Sequence, residues 1–383
     1  MDASSPDYPS REASLKATEP VVLVASSEFT LKSSAVRRTL EQRLIDDLKF
    51  ALRRDNLECS RVEKDAARLV VFGTKQADAA AALCSKVFGV AYAAPALLLI
   101  DPTLEDITEQ VAELAQKHLT SGKSFAVRAH RSTPGAVSRR DVEVRSGSRV
   151  LDAMKHSGVT VDLDAPDVTF HVDLVGGDAY LYSEKLKGPG GLPLSAQWKM
   201  LAVLDCGPLS ILAACAMMRR GCVVELLIPV SKTISALSSA TQLALAEKVG
   251  RLVTRPNYKA SVFEIDNLYE GRLTVGVNWR ALTRAIAVKF AIENRFKGVI
   301  FGDVSGHLSS LERSYSTSTR PPIFYPLLGL EEEDLSELST LAGIDESELM
   351  SQGGFNRVPE QPSGEMELRF GELVLPAVRE IHF

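Results

Sequence analysis

Three groups of residues in this 383-residue chain are of types that do chemistry. The first is the turn Asp205-Cys206-Gly207-Pro208, set between an apolar run, Met200 to Leu204, and a helix-like run, Leu209 to Arg219. A small-residue turn that ends a buried strand and opens a helix is where backbone N–H groups cradle a phosphate. This one is poorly equipped: it has one glycine, a proline that removes a donor, and an aspartate that repels phosphate. The second group is basic. From Lys123 to Arg149 seven Lys and Arg residues (Lys123, Arg128, Arg131, Arg139, Arg140, Arg145, Arg149) face only Asp141 and Glu143. Such a run suits phosphate contacts, although a solvated charged face has the same composition. Lys185 and Lys187 border it further on. The third group is the five cysteines, Cys59, Cys84, Cys206, Cys215 and Cys222, an odd number with no CxxC pair. That pattern fits a reducing cytoplasm rather than a disulfide framework.

Each candidate has a plain structural reading beside the chemical one. Cys206 is a nucleophile only as a thiolate; at the end of a core strand it reads better as a small buried residue. Asp205 serves Mg²⁺ only with further carboxylates, and otherwise caps the helix that follows. Gly302-Asp303 ends another buried strand, at the edge where such sheets take ligands, and reads equally as a tight turn. His307 is either a base or a solvent-facing loop residue.

The elements that position these groups follow from periodicity. Val21 to Ala25 reads as a strand, and Ser33 or Ser34 opens a helix to about Arg54 with Val36, Leu40, Leu44, Leu48 and Leu52 on one face. Two short strands, a helix from Lys75 to Phe88 and a strand from Ala91 to Ile100 complete a βαββαβ order, the ferredoxin-like plan. Leu104 to Leu119 is an amphipathic helix. Ser124 to Arg131 is a strand with Phe125, Val127 and Ala129 on one side and Arg128 and His130 on the other. Val168 to Leu174 and Ala179 to Ser183 form a hairpin about Gly176-Gly177-Asp178. Gly188-Pro189-Gly190-Gly191 is a flexible loop. Beyond it, strands at 200–204, 223–228, 262–265 and 299–301 alternate with helices at 209–219, 235–251 and 279–294. That alternation predicts a parallel sheet covered on both faces. Glu331 to Asp334 opens one more helix, where negative charge suits the N-terminal dipole. The tail from Gln352 carries one strand-like piece, Leu368 to Leu375.

Composition sets the outer bounds. Hydrophobic residues at 45% and charged residues at 24% are ordinary for a globular protein. A net charge of −5 excludes a uniformly basic nucleic-acid binder but leaves room for a local basic patch. No apolar run is long enough to span a membrane, and the N-terminus carries no secretory signal pattern.

Several stretches together carry a resemblance: FAVRAHR, SRRDVE, APDVTFHVDL, KGPGGLPL, MMRRGCVVELL, VIFGDVSGHLSSLE and FYPLLGLEEEDLSELSTLAGI. In order and spacing the chain from about 20 to 345 resembles the tRNA 4-thiouridine synthetase (ThiI) family. The resemblance implies an α/β protein with a ferredoxin-like α+β domain at 20–100, a THUMP RNA-binding domain at 101–188 and a parallel-sheet PP-loop domain of the adenine nucleotide α-hydrolase type at 189–350. Segments 1–19 and 351–383 are read as tails. It also implies tRNA or another structured RNA as partner, bound by Lys123, Arg128, Arg131, Arg139, Arg140, Arg145, Lys185 and Lys187. In the family the PP-loop reads S-G-G-x-D-S; counted back from Arg219-Arg220-Gly221-Cys222, those six positions are Asp205 to Ser210, and only Gly207 and Ser210 match. The remaining nucleotide-binding positions are Asp205, Gly302 and Asp303, where the family's glutamate is replaced by Asp303 and its glutamine by His307. The family's sulfur-carrying cysteine would lie after residue 345, no cysteine occurs past Cys222, and no rhodanese domain is appended. The expectation is therefore an RNA-binding protein with no catalytic residue, no metal and no cofactor. ATP and Mg enter only in the rival reading, an active ATP-dependent tRNA sulfurtransferase with altered residues. A third reading is a subunit that presents RNA to a modification enzyme. A homodimer and a modification-enzyme partner stay open, and a membrane is not expected.

Overall fold

A strand buried in a sheet covered on both sides needs apolar residues on both faces, and a half-buried one on a single face. The computed structural model describes residues 18–27, 32–65, 68–133, 137–234, 237–254, 258–266, 279–304, 321–345, 347–348 and 377–382. It resolves into two units, one of Met1–Ala25, Asn56–Ala82 and Ala93–Leu186, the other of Ser26–Asp55, Leu83–Tyr92 and Lys187–Phe383.

The first elements run β1 (Thr18–Ser26), α1 (Ser34–Arg54), β2 (Arg61–Asp65), β3 (Arg68–Phe72), α2 (Ala77–Cys84) and β4 (Val90–Leu99). Their strands lie in the order β2-β3-β1-β4, which is the ferredoxin-like arrangement. Next come α3 (Leu104–His118), β5 (Ser124–Arg131), α4 (Arg139–Ala153), β6 (Thr160–Val161), β7 (Val168–Val175), β8 (Asp178–Tyr182) and β9 (Leu186–Lys187). β8 pairs with β4, so one nine-stranded sheet continues as β8-β7-β5-β6. α3 starts in a capping box: Asp106 N–H donates to Thr103 Oγ1 (3.1 Å), and Thr103 N–H donates to the Asp106 carboxylate (2.8 Å). The β7–β8 turn uses Gly176 and Gly177 at φ +62° and +114°. Phe125, Val127 and Ala129 of β5 enter the core with Ile107 and Val111 of α3 and Val142 and Val150 of α4. Arg128 and His130 are exposed, as the alternation requires.

The second unit holds β10 (Lys199–Val203), α5 (Pro208–Arg219), β11 (Val223–Val230), α6 (Ser239–Leu252), β12 (Lys259–Glu264), α7 (Trp279–Glu293), β13 (Val299–Ile300), β14 (Ile323–Phe324), α8 (Glu332–Ala342) and β15 (Arg379–His382). The sheet order is β14-β13-β10-β11-β12-β15, parallel except for the last strand. One face packs on α5, α6 and α8, the other on α7. Among the described residues no helix is long and apolar enough to cross a membrane.

Several expectations need correction. Val36 is 47% exposed rather than on the buried face of α1, because it sits in the first turn, ahead of the buried series that begins at Leu40. The helix read over 75–88 is confined to Ala77–Cys84, and that over 235–251 begins at Ser239 behind a Ser238 cap. In the C-terminal segment Arg379–His382 is an antiparallel edge strand on β12. His307 and the strand-like piece at 368–375 lie outside the described residues.

Candidate functional site

The chain adds β11 and β12 on one side of β10, then crosses back to place β13 on the other. The gap between the C-terminal ends of β10 and β13 is thus the topological switch point, where open α/β sheets bind ligands. The Asp205–Ser210 turn follows β10, and Gly302-Asp303 follows β13.

The described residues at that gap make several contacts with one another. Gly207 is the N-cap of α5, at φ +55° and ψ −132°, and Pro208 opens the helix without an N–H. Two backbone donors of the turn are spent internally: Cys206 N–H donates to Ser210 Oγ (2.9 Å) and Ser210 N–H to the Gly207 carbonyl (3.1 Å). A Cβ on Gly302 would lie 2.6 Å from Ser210 N and 2.7 Å from Leu209 C. The end of β13 therefore presses on the first turn of α5, where a phosphate would need room.

Two arginines of α7 reach the same place. Arg280 and Arg284 lie four apart on α7, hence on one face of the helix. Arg284 donates through Nη2 to both carboxylate oxygens of Asp303 (2.7 and 2.6 Å) and through Nε to Asp205 Oδ2 (3.3 Å). Its guanidinium carbon lies 4.8 Å from the centre of the Phe301 ring. Arg280 Nη2 donates to Asp303 Oδ1 (3.4 Å) and to Cys206 Sγ, and its Nε stands 3.8 Å from Asp205 Oδ2. The aspartate side chains have no exposed surface, and the arginine side chains expose 4% and 6%. Among the described residues, two positive and two negative charges thus face one another in the interior. Burial, with the Asp205 carboxylate adding, pushes the Cys206 thiol well above its usual range. Burial pushes Cys215 up to about 12 and Cys222 up to about 11.

The structure brings together all five expected nucleotide-site residues, Asp205, Gly207, Ser210, Gly302 and Asp303, around the β10 and β13 ends. It also corrects one structural reading: Asp205 does not cap α5, because Gly207 holds the cap position and Asp205 is drawn to the arginines. Arg280 and Arg284 were missed from sequence. Their signal was two arginines at i and i+4 inside a largely apolar helix, since buried cations require carboxylate partners. Among the described residues no group of three His, Cys, Asp or Glu side chains is placed to hold a metal ion.

The basic residues are not equivalent. Lys123 is held by Asp167 (2.9 Å), whose carboxyl is lowered to about 2, chiefly by the Ser124 N–H. Arg145 pairs with Glu105 (2.9 Å), and Arg149 with Glu109 (2.7 and 2.9 Å), tying α4 to α3. Arg128 donates to the Leu163 carbonyl and is exposed, and Arg131 ends the same strand. Arg139 and Arg140 are exposed in the first turn of α4, without an ion pair among the described residues. On the sheet face away from α3 and α4, Arg128, His171 and Tyr182 stand in cross-strand register. His171 stacks on Tyr182 (4.8 Å, 20°), and burial, with Lys185 next, lowers its pKa to about 4. Lys185 lies 5.6 Å from the same Tyr182 ring. Lys187 belongs to the second unit, paired there with Glu337 (3.0 Å).

A ferredoxin-like arrangement that shares its sheet with a basic α/β element, ahead of a parallel sheet with a turn-and-helix switch point, defines a THUMP-containing protein with a PP-loop-like domain. Comparison bears this out: residues 21–94 match the ThiI ferredoxin-like domain, 102–184 the THUMP domain, and 195–368 the thiamine biosynthesis protein (ThiI) model. With all three in this order, the chain belongs to the ThiI family. It is 28% identical over 397 residues to a probable tRNA sulfurtransferase of Methanosarcina mazei, covering 99% of this chain and 95% of that one. A tRNA sulfurtransferase of Pyrobaculum aerophilum is 35% identical over 209 residues, 54% of this chain; the chain spans only 41% of that relative's length. The fold is similar to that of a 4-thiouridine synthetase solved in complex with RNA and with bound ATP (TM-score 0.68, 18% identity, 94% of this chain and 91% of that one).

Proposed function

We propose that the chain is a tRNA-binding protein of this family whose PP-loop domain has lost ATP-dependent adenylation of uridine. The observation that carries this reading is the closed set Asp205, Arg280, Arg284 and Asp303 at the switch point. Adenylation needs free backbone donors and a metal-binding acid around the pyrophosphate. Here Pro208 supplies no donor, the N–H groups of Cys206 and Ser210 are used within the turn, and both carboxylates are held by guanidinium groups. These features support a site that does not take Mg-ATP. A catalytic thiolate is disfavoured as well, because burial keeps the Cys206, Cys215 and Cys222 thiols protonated at neutral pH.

RNA binding is supported by the THUMP match and by the RNA held in the similarly folded synthetase complex. Within the basic group, Arg128, Arg139 and Arg140 are the exposed members that no carboxylate holds among the described residues, so they are the ones to contact phosphate. Lys123 and Arg145 would have to leave Asp167 and Glu105 to take part. The test is tRNA binding by the full chain across a range of salt. Reversing Arg139 and Arg140 to Glu should weaken binding about tenfold or more and make its salt dependence shallower by about two phosphate contacts. Unchanged affinity and slope would reduce the basic run to a solvated face and remove the RNA-binding reading.

A further inference from the structure

The second unit carries a groove of about 630 Å³ that the switch point does not use. Six cationic side chains line it: Arg54, Lys86, Lys187, Arg219, Lys248 and Arg251. Among the described lining residues Glu337 is the one carboxylate, and it accepts from Lys187 (3.0 Å) and Arg219 (3.1 Å). Lys248 is fixed by Glu348 (2.8 and 2.6 Å) and the Gly343 carbonyl (2.8 Å). Arg54 donates to the carbonyls of Arg251 (3.1 Å) and Val253 (3.3 Å). Lys86 and Arg251 are exposed, and their side chains have no ion pair among the described residues.

The bland explanation is local. Five helices, α1, α2, α5, α6 and α8, end at the groove wall, and cations suit helix C-termini. Charge counting shows that this does not absorb them all. Each helix end carries about half a negative charge, and Asp55, which pairs with Arg54 (3.0 Å), Glu337 and Glu348 add one each, which leaves the groove at roughly +0.5. The dipole contribution also fades within the last turn, whereas Lys and Arg side chains reach into solvent. Arg54, Lys86, Lys187 and Arg251 are all exposed. Exposed cations hold a small anion weakly, because each contact competes with water. They become effective together only on a polyanion that touches several at once and releases its counterions.

We propose that this groove binds the sugar–phosphate backbone of RNA, as a phosphate contact additional to the basic strand and helix of the THUMP domain. The inference rests on the RNA-binding reading above. Its test is tRNA binding by the full chain, read by fluorescence anisotropy over about 0.05 to 0.3 M KCl. The double reversal Lys86→Glu/Arg251→Glu should raise Kd about tenfold near ~0.1 M salt and make the log–log salt slope shallower by about 1–2. Lys86→Gln/Arg251→Gln, at the same exposed positions, should move both in the same direction by less. If both groove variants bind as the parent does while Arg139→Glu/Arg140→Glu weakens binding, the groove proposal is overturned and the RNA-binding reading stands. If no reversal matters, both fall. If ATP alone binds the parent chain and K86E/R251E abolishes it, the groove is a mononucleotide site and the proposal is likewise wrong.

Discussion

Removing one member of the buried charge set should be costly, and removing a balanced pair should not. In Arg284→Leu the two hydrogen bonds to Asp303 and the one to Asp205 are lost, which removes one of the two guanidinium groups that face these carboxylates, neither of which has exposed surface. Breaking a buried ion pair by deleting one partner costs ~3–5 kcal/mol, mostly through the uncompensated charge left inside. Asp303→Leu should cost a similar ~3–5 kcal/mol, since it takes both short hydrogen bonds from Arg284, which keeps the longer one to Asp205, and weakens the hold on Arg280. The double variant Arg284→Leu/Asp303→Leu keeps the interior neutral, with Arg280 still 3.8 Å from Asp205, and should cost clearly less than the two single losses added together. The assay is urea unfolding of the three variants and the parent, analysed as a double-mutant cycle, with a coupling of about 2–3 kcal/mol expected. Thermal midpoints should fall by roughly 10 °C for each single variant. Single losses below ~1 kcal/mol, or strict additivity, would mean the arginines are not committed to the aspartates. The closed switch point would then be untenable.

The cysteine and histidine environments give two further expectations. At neutral pH, iodoacetamide should modify Cys59 first, the others being buried or raised in pKa, and purified chain supplied with a sulfur donor should not thiolate tRNA; thiolation abolished by Cys206→Ser would contradict this. His171, lowered to about 4 by burial and then by Lys185, binds fewer protons folded than unfolded between about pH 6.5 and pH 4. Stability should therefore fall as pH drops through that window, by about 1–2 kcal/mol for a half-buried ring still partly screened by water. His171→Gln should flatten that slope, and an unchanged slope would show that another group sets it.

Much of the fold was legible because its signals are local. The alternation in Ser124–Arg131 and the glycines of the β7–β8 turn each act within a few residues. The buried strands β10 and β11 announce themselves as unbroken apolar runs. Some short strands were not legible. β6, β9 and β14 have two residues each and are defined only by what they pair with, and β15 lies more than 100 residues from its partner β12. The switch point was half legible. The turn and Asp303 could be found from strand ends and from the family resemblance, but the partners of their carboxylates come from α7, about 75 residues beyond Asp205. For the basic run, composition gives the charges and not their partners. Glu105, Glu109 and Asp167, which hold Arg145, Arg149 and Lys123, all lie outside it in sequence.

The central claim is that the β10–β13 switch point is filled by its own charges and takes no nucleotide. Isothermal calorimetry of the full chain with Mg-ATP, with and without tRNA, tests it most directly. The closed Asp205, Arg280, Arg284 and Asp303 set predicts no saturable heat in either case. A micromolar dissociation constant that is lost when Gly207 is replaced by Val would contradict it, and would restore the chain to the ATP-using members of its family.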